Sequence, residues 1–225
     1  TCRCNQIHGV LQHMTKSIYD QLNASGTIAK QRVVENFSGW QLDTDRWSTN
    51  NVRGTNTFAM SDSNDGGFKI TTGSTQYDGG SITFNNIRQF SPTASEVISV
   101  TKISNLTDLS AVVGFSDNQD SPTFASAANG AVMDQGNYSA YVRLGTSQTG
   151  TNNNVDTTTS RSTNWTTSKI SMTSSSAILT VNGLTGATST GNSLPTVKLQ
   201  PIFIGFTNSA TAHSYSIQYM ECYNT

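Results

Sequence analysis

Charged residues are scarce in this sequence, and long apolar runs are absent from it. Each of these two shortages excludes a class of protein. Asp, Glu, Lys and Arg make up 12% of the 225 residues, about half the usual share, and the formal net charge is −1. Nucleic acid is therefore not expected as a partner, because binding to phosphates needs clustered Lys and Arg. No apolar run approaches the roughly 18 residues that a membrane span requires.

The residues that are present favour a folded protein rich in strands and turns. Apolar residues reach only 34% of the chain, yet 8% of it is aromatic, so a hydrophobic core is expected. Ser, Thr, Asn and Gly are abundant. Thr favours strands, and Asn, Gly and Ser favour the turns between them. This composition predicts an all-β protein with a neutral, polar surface.

Only three cysteines occur, and they lie at the two ends of the sequence: Cys2, Cys4 and Cys222. Cys2 and Cys4 are too close to pair comfortably, but either could form a disulfide with Cys222 and leave a thiol to cross-link subunits. A metal site is a second interpretation, with Cys2-x-Cys4-x3-His8 completed by Cys222 or His13, although one-residue spacing is unusual for zinc. Unmodified thiols are the third.

The first 32 residues are predicted to form a helical segment. Apolar residues recur every three or four positions over residues 5–25, as an amphipathic helix requires. Such a helix is marginal alone in water, so its apolar stripe must pack against its own domain or against another subunit. We expect oligomerisation or anchoring through this stripe, which comprises Ile7, Val10, Leu11, Met14, Ile18 and Leu22.

Residues 33–225 are predicted to form one β-sandwich. Short alternating runs separated by Gly, Asn, Asp and Ser indicate about a dozen strands. Thr146–Thr163 has few apolar residues and is predicted to be an exposed loop. The predicted strands are Thr55–Met60, Phe68–Thr72, Gly80–Phe84, Glu96–Ile103, Ser110–Phe115, Ala131–Asp134, Ser139–Leu144, Lys169–Thr173, Ala177–Val181, Lys198–Phe206 and Ser214–Tyr223.

Several segments resemble the concanavalin A-like, or laminin-G-type, jelly roll. Trp165–Leu184 is similar to the family's hairpin, Pro201–Asn208 to its following central strand, and Ser214–Tyr223 to its closing strand. Glu35–Trp40 and Asp45–Trp47 resemble its opening. The resemblance covers residues 33–225 and implies a jelly-roll β-sandwich. Similar domains with a short N-terminal helix occur in phage virion proteins and in extracellular adhesive proteins.

The residues of a hydrolase site are not apparent in the sequence. Glycoside hydrolases with the jelly-roll fold that this chain resembles carry a Glu-x-Asp-x(1–2)-Glu strand, because cleavage needs two nearby carboxylates. The sequence has only Glu35, Glu96 and Glu221, and none has an acidic partner at that spacing. A Ser-His-Asp triad would have to use His213, without a Gly-x-Ser-x-Gly elbow. The sequence therefore predicts that the protein is not an enzyme.

Acidic loops and aromatic residues supply two kinds of candidate binding site. Paired Asp in turns can supply oxygen ligands for Ca²⁺ as a cofactor, although such turns are also ordinary hairpin chemistry. The candidate calcium ligands are Asp62, Asp65, Asp117 and Asp120. Exposed aromatic residues are the usual sugar contacts of such sandwiches, and the candidates are Trp40, Trp47, Tyr77, Tyr138 and Tyr141, of which the two Trp could equally belong to the core.

These observations favour a non-enzymatic structural subunit of a larger assembly. The expected setting is a virion surface (decoration, fibre or tail protein) or an extracellular filament, with a homo-oligomer organised by the N-terminal helix. The alternative is a carbohydrate-binding, lectin-like module, assisted by calcium, whose partners are surface glycans.

Overall fold

Two antiparallel β-sheets packed face to face form the described part of the chain. The computed structural model describes residues 31–39, 41–61, 66–85, 87–117 and 129–225. Arg32–Thr225 forms one compact unit. These residues contain no helix, and so none that could span a membrane. The predicted helix of residues 5–25, with its apolar stripe, and Cys2 and Cys4 lie outside the described residues.

The described chain contains fifteen strands. They are β1 Arg32–Glu35, β2 Ser48–Arg53, β3 Thr57–Met60, β4 Phe68–Thr71, β5 Gly79–Thr83, β6 Ala94–Ile103, β7 Leu109–Ser116, β8 Asn129–Asp134, β9 Tyr141–Gln148, β10 Thr151–Ser160, β11 Thr166–Thr173, β12 Ser176–Val181, β13 Leu184–Thr190, β14 Gln200–Thr207 and β15 Ser214–Asn224.

The strands form two sheets in which neighbours in space are mostly distant in sequence. Sheet A has the order β13-β12-β11-β6-β15-β4-β3, and β1 also pairs with β15. Sheet B has the order β10-β9-β8-β7-β14-β5-β2. All the pairings are antiparallel, and β6 alternates strictly between buried and half-buried residues, as a strand with one face on the core should. The predicted all-β sandwich is confirmed.

The core lies between the sheets and contains the largest aromatic side chains. Trp47 is 1% exposed and packs against Phe37 and Phe84 at centroid distances of 5.6 and 5.4 Å. Its indole N–H donates to Glu35 Oε2 at 3.1 Å, so the buried polar atom is satisfied. Cys222 is a wholly buried free thiol of this core. Burial raises the pKa of the Cys222 thiol well above its usual value.

The middle strands of sheet B carry apolar residues on both faces. Phe203 points into the core, whereas its neighbours Ile202 and Ile204 point outward and form a second buried cluster with Val112 and Val132. Every residue of β7 and β14 is buried as a result. Strands buried on both faces have near-continuous apolar sequences, and this is why both were evident from the sequence.

The prediction that Thr146–Thr163 is an exposed loop was wrong, because most of this segment is strand. It contains the end of β9 and all of β10, which pairs with β9 from Thr151 to Ser160. β10 is an edge strand whose only buried residue is Thr157. An edge strand with β-branched Thr and one inward-facing contact needs little apolar sequence, so hydrophobic patterning could not reveal it.

Candidate functional site

Three exposed tyrosines lie at one end of sheet B, which we call the tyrosine end. Tyr77 precedes β5, Tyr138 lies in the turn between β8 and β9, and Tyr141 begins β9. Their exposed fractions are 40%, 65% and 43%. β5, β14, β7 and β8 are consecutive neighbours in the sheet, so Tyr77 and Tyr138 are separated by about three strand spacings, or about 14 Å.

An arginine lies against the ring of two of these tyrosines. The guanidinium carbon of Arg53 is 5.6 Å from the centroid of Tyr77, and that of Arg143 is 5.6 Å from the centroid of Tyr138. Each pair is within the range of a cation–π interaction. The arginines fix the orientation of the rings while large parts of both rings remain exposed, which suits them as stacking platforms.

A chain of hydrogen bonds between amides and hydroxyls connects the two platforms. Gln76, next to Tyr77, donates to the carbonyl of Asn208 at 3.3 Å. The Asn208 side chain donates to Ser110 Oγ at 3.0 Å, and the backbone N–H of Asn137 donates to the same oxygen at 3.3 Å. Asn137 is followed directly by Tyr138. The tyrosine end is therefore an ordered surface of aromatic rings separated by polar groups that can bond hydroxyls.

A buried ion pair supports Tyr138 from below. Arg143 Nη2 bonds Asp134 Oδ2, and the side chains are only 14% and 9% exposed. The other carboxylate oxygen of Asp134 accepts from the Gly136 N–H at 2.5 Å. Arg161 lies beside this pair and donates to the carbonyls of Ser139 and Leu109 at 3.2 and 3.4 Å. Burial lowers the pKa of Arg161, the charge of Asp134 opposes that shift, and the charge of Arg143 adds to it.

The remaining predicted site residues do not join this surface. Trp47 belongs to the core and is not available to a sugar, which corrects its candidacy. Trp40 lies outside the described residues. Cys222 is the one cysteine among the described residues, and its thiol is free.

Asp117 is the only calcium candidate that the structure describes. It is 8% exposed, and its two carboxylate oxygens accept from the backbone and side-chain N–H groups of Asn129 at 2.9 and 3.0 Å. Asp62, Asp65 and Asp120 lie outside the described residues. Among the residues described, no group of three or more metal-binding side chains converges.

Two glutamates are neighbours on the outer face of sheet A, which the sequence did not reveal. Glu96 on β6 pairs with Tyr223 on β15, and Glu221 pairs with Ile98, so the two glutamates are diagonal neighbours whose Cα atoms are about 7 to 8 Å apart. Glu96 bonds Tyr223, Ser171 and Lys169, while Glu221 bonds Tyr219 and Arg32.

Both glutamates remain ionised in this arrangement. Burial alone would raise the pKa of Glu96. Hydrogen bonds from Tyr223, Lys169 and Ser171 lower it by more, so the pKa lies below its usual value. The hydrogen bond from Tyr219 lowers the pKa of Glu221. The general acid of a glycosidase needs a raised pKa, which neither glutamate has. Each glutamate instead belongs to an ion-pair network on the surface of sheet A.

These networks predict a loss of stability at high pH. The hydrogen bond to Glu96 raises the pKa of Tyr223 to about 12, and burial raises that of Tyr219 to about 12. The folded state holds these two protons more tightly than the unfolded state does. The stability that they contribute is therefore fully present below about pH 10 and is lost as the pH rises towards 12. Unfolding midpoints measured between pH 8 and pH 12 should decline. The midpoint of Tyr223→Phe should decline less steeply with pH than that of the unmodified protein. Equal slopes would contradict the assignment of this loss to the Tyr223 hydroxyl.

The structure places His213 beside a serine and an aspartate, but not in a triad. His213 Nε2 is 3.4 Å from Ser209 Oγ and 3.8 Å from Asp108 Oδ2. In a hydrolytic triad the serine and the acid contact opposite ring nitrogens. Here both face the same nitrogen, so this cluster lacks the triad geometry.

Comparison with known proteins identifies the fold. No protein-family model and no curated protein sequence matches the chain. Among solved structures, the chain is similar to the Crh5 transglycosylase (TM-score 0.61, 12% identity, 86% of this chain and 84% of that one). It is also similar to a glycoside hydrolase family 16 endo-glucanase from Bacteroides ovatus (0.59, 11%, 84% and 98%). A third is the carbohydrate recognition domain of Emp47p (0.57, 13%, 85% and 94%).

At these identities the likeness establishes the fold, a concanavalin A-like jelly-roll sandwich. The predictions of a structural subunit and of a protein that is not an enzyme were wrong. The finding against them is that the solved structures sharing this fold include a transglycosylase, a glucanase and a carbohydrate recognition domain.

Proposed function

We propose that this protein binds carbohydrate at the tyrosine end of sheet B. The observation that carries the proposal is the pair of exposed rings, Tyr77 and Tyr138, each held by an arginine and connected by amides and hydroxyls. Sugars present apolar C–H faces that stack on such rings, and hydroxyls that bond amide groups. The fold it shares with a carbohydrate recognition domain and with glucanases supports this proposal.

The ligand that best fits this surface is a neutral glycan chain. The platforms are about 14 Å apart, so a chain of several sugar units is needed to reach both. Arg143 is already neutralised by Asp134, and the amides between the rings carry no charge. Glucans are the first class to test, because a glucanase is among the proteins with this fold.

Replacing either platform should weaken glycan binding. We expect Tyr77→Ala and Tyr138→Ala each to lower affinity for a glucan hexasaccharide by about tenfold, since an aromatic stacking contact contributes about 1 to 3 kcal/mol. Calorimetric titration of the full chain measures this. A reducing-end assay on the same mixtures shows whether the bound glycan is also cleaved.

Leu184→Ala is the matched control, because Leu184 is a 66% exposed apolar residue on β13 of the other sheet. Its affinity should equal that of the unmodified protein. If all three variants bind alike, the glycan does not contact the tyrosine end and the proposal fails. Repeating the titration with EDTA tests the further proposal that calcium assists binding.

A further inference from the structure

A groove of about 430 Å³ crosses the outer face of sheet A and is separate from the tyrosine end of sheet B. Its floor is one row of side chains across neighbouring strands. Ser216 on β15 pairs with Lys69 on β4 and with Lys102 on β6. Thr166 pairs with Thr101, so the preceding Trp165 continues the row beyond Lys102. The groove thus carries two cations and a partly exposed indole in line.

The two lysines occupy different positions relative to the indole. Lys102 Nζ is 5.7 Å from the ring centroid of Trp165, within the range of a cation–π contact. Lys69 is exposed at the other side of the row and makes no ion pair with any residue that the structure describes. The Cα atoms of the two lysines are about 10 Å apart, which is two strand spacings.

Hydroxyl groups line the groove beside this row. The Ser104 hydroxyl oxygen accepts from the backbone N–H of Ser214 at 2.9 Å, which leaves its proton free to donate. Ser214 and Ser216 also line the groove. A ligand here would meet a positive charge, an aromatic face and small hydroxyl donors together.

We propose that this groove binds an anionic glycan, with a sugar ring against Trp165 and a carboxylate or sulfate near Lys69. A sugar ring supplies the apolar face that an indole stacks upon, and the acidic group supplies the charge that the lysine row attracts. This site lies on a different sheet from the tyrosine end. It goes beyond the proposed function and does not depend on it.

Calorimetric titration of the full chain with three tetrasaccharides tests the proposal. Tetragalacturonate carries carboxylates, sulfated cellotetraose carries sulfates, and cellotetraose is the neutral control. At least one charged probe should bind about tenfold more tightly at low salt than at 0.5 M salt, which screens surface charge over about 4 Å. Lys69→Met should weaken that probe about fivefold and leave cellotetraose unchanged. Trp165→Ala should also weaken it.

Two control variants test whether the charged probe binds in the groove itself. Lys198→Met removes an exposed lysine that does not line the groove, and Tyr138→Ala alters the tyrosine end; neither should change binding of the charged probe. If neither charged probe binds, or if Lys69→Met and Lys198→Met behave alike, the groove is not an anionic-glycan site. Loss of charged-probe binding in Tyr138→Ala alone would also overturn the proposal, while leaving the tyrosine end as the glycan site.

Discussion

Replacing Asp134 by alanine should lower the free energy of unfolding by about 3 to 5 kcal/mol, the cost of breaking a buried ion pair. Arg143 would keep its charge at a side chain that is only 14% exposed. It would then face the neighbouring guanidinium of Arg161, with which it interacts unfavourably, without the carboxylate that balances both. Urea unfolding at pH 7 measures the change.

The same substitution should also weaken glycan binding. Arg143 supports the Tyr138 ring, so a displaced arginine would release that platform. Asp156→Ala is the control, since Asp156 is an exposed acid opposite Arg143 on β10 and should cost less than about 0.5 kcal/mol. Equal losses for the two variants would show that Asp134 is not the partner that stabilises Arg143.

Replacing Gly205 by alanine should destabilise the sandwich by about 3 kcal/mol. Gly205 and Gly80 are paired across β14 and β5, and the Tyr215 side chain occupies the space beside them. A methyl group at Gly205 would lie 2.8 Å from ring carbons of Tyr215 and 2.9 Å from the Ser110 carbonyl. The backbone cannot yield here, because both strands pair on both sides.

Two variants test that this effect comes from Tyr215. Its single hydroxyl proton is shared between the carbonyls of Gly80 and Gly205, whose oxygens lie 2.5 and 2.8 Å from the hydroxyl oxygen, so Tyr215→Phe should cost about 1 to 3 kcal/mol while keeping the ring. Gly39→Ala should be nearly neutral, since its new methyl group would meet atoms no nearer than 3.5 Å. Thermal unfolding with calorimetry compares all three. A neutral Gly205→Ala would mean that the ring has room to move.

The sandwich could be predicted from the sequence because most of its strands have one or two buried faces. β6 alternates residue by residue, and β14 is a continuous apolar run, so both were evident. Four strands were missed, namely β1, β2, β10 and β13. The residues of β2 and β10 are largely polar, and neither strand has a fully buried apolar face. Burial on one face of an edge strand leaves too weak a periodicity to detect.

The candidate site could be predicted only as separate residues. Tyr77 and Tyr138 were identified individually as exposed aromatics, but they are 61 positions apart, and the order of β5, β14, β7 and β8 brings them to the same end of sheet B. The pairing of Glu96 with Glu221 was likewise invisible, because it depends on the register of β6 against β15. Strand register is a property of the whole sheet, so one sequence without a fold cannot supply it.

The position of β15 has a consequence for how this protein is made. β15 is the last described strand in the chain, yet it lies between β6 and β4 and also pairs with β1. During synthesis, sheet A therefore remains in three unconnected parts (β13-β12-β11-β6, β4-β3 and β1) until β15 has emerged, more than 100 residues after β6. The backbone N–H and C=O groups that β4 and β6 direct towards β15 stay unpaired in that interval. Completion of the sandwich should thus follow translation of β15, and chaperones would have a defined nascent-chain substrate.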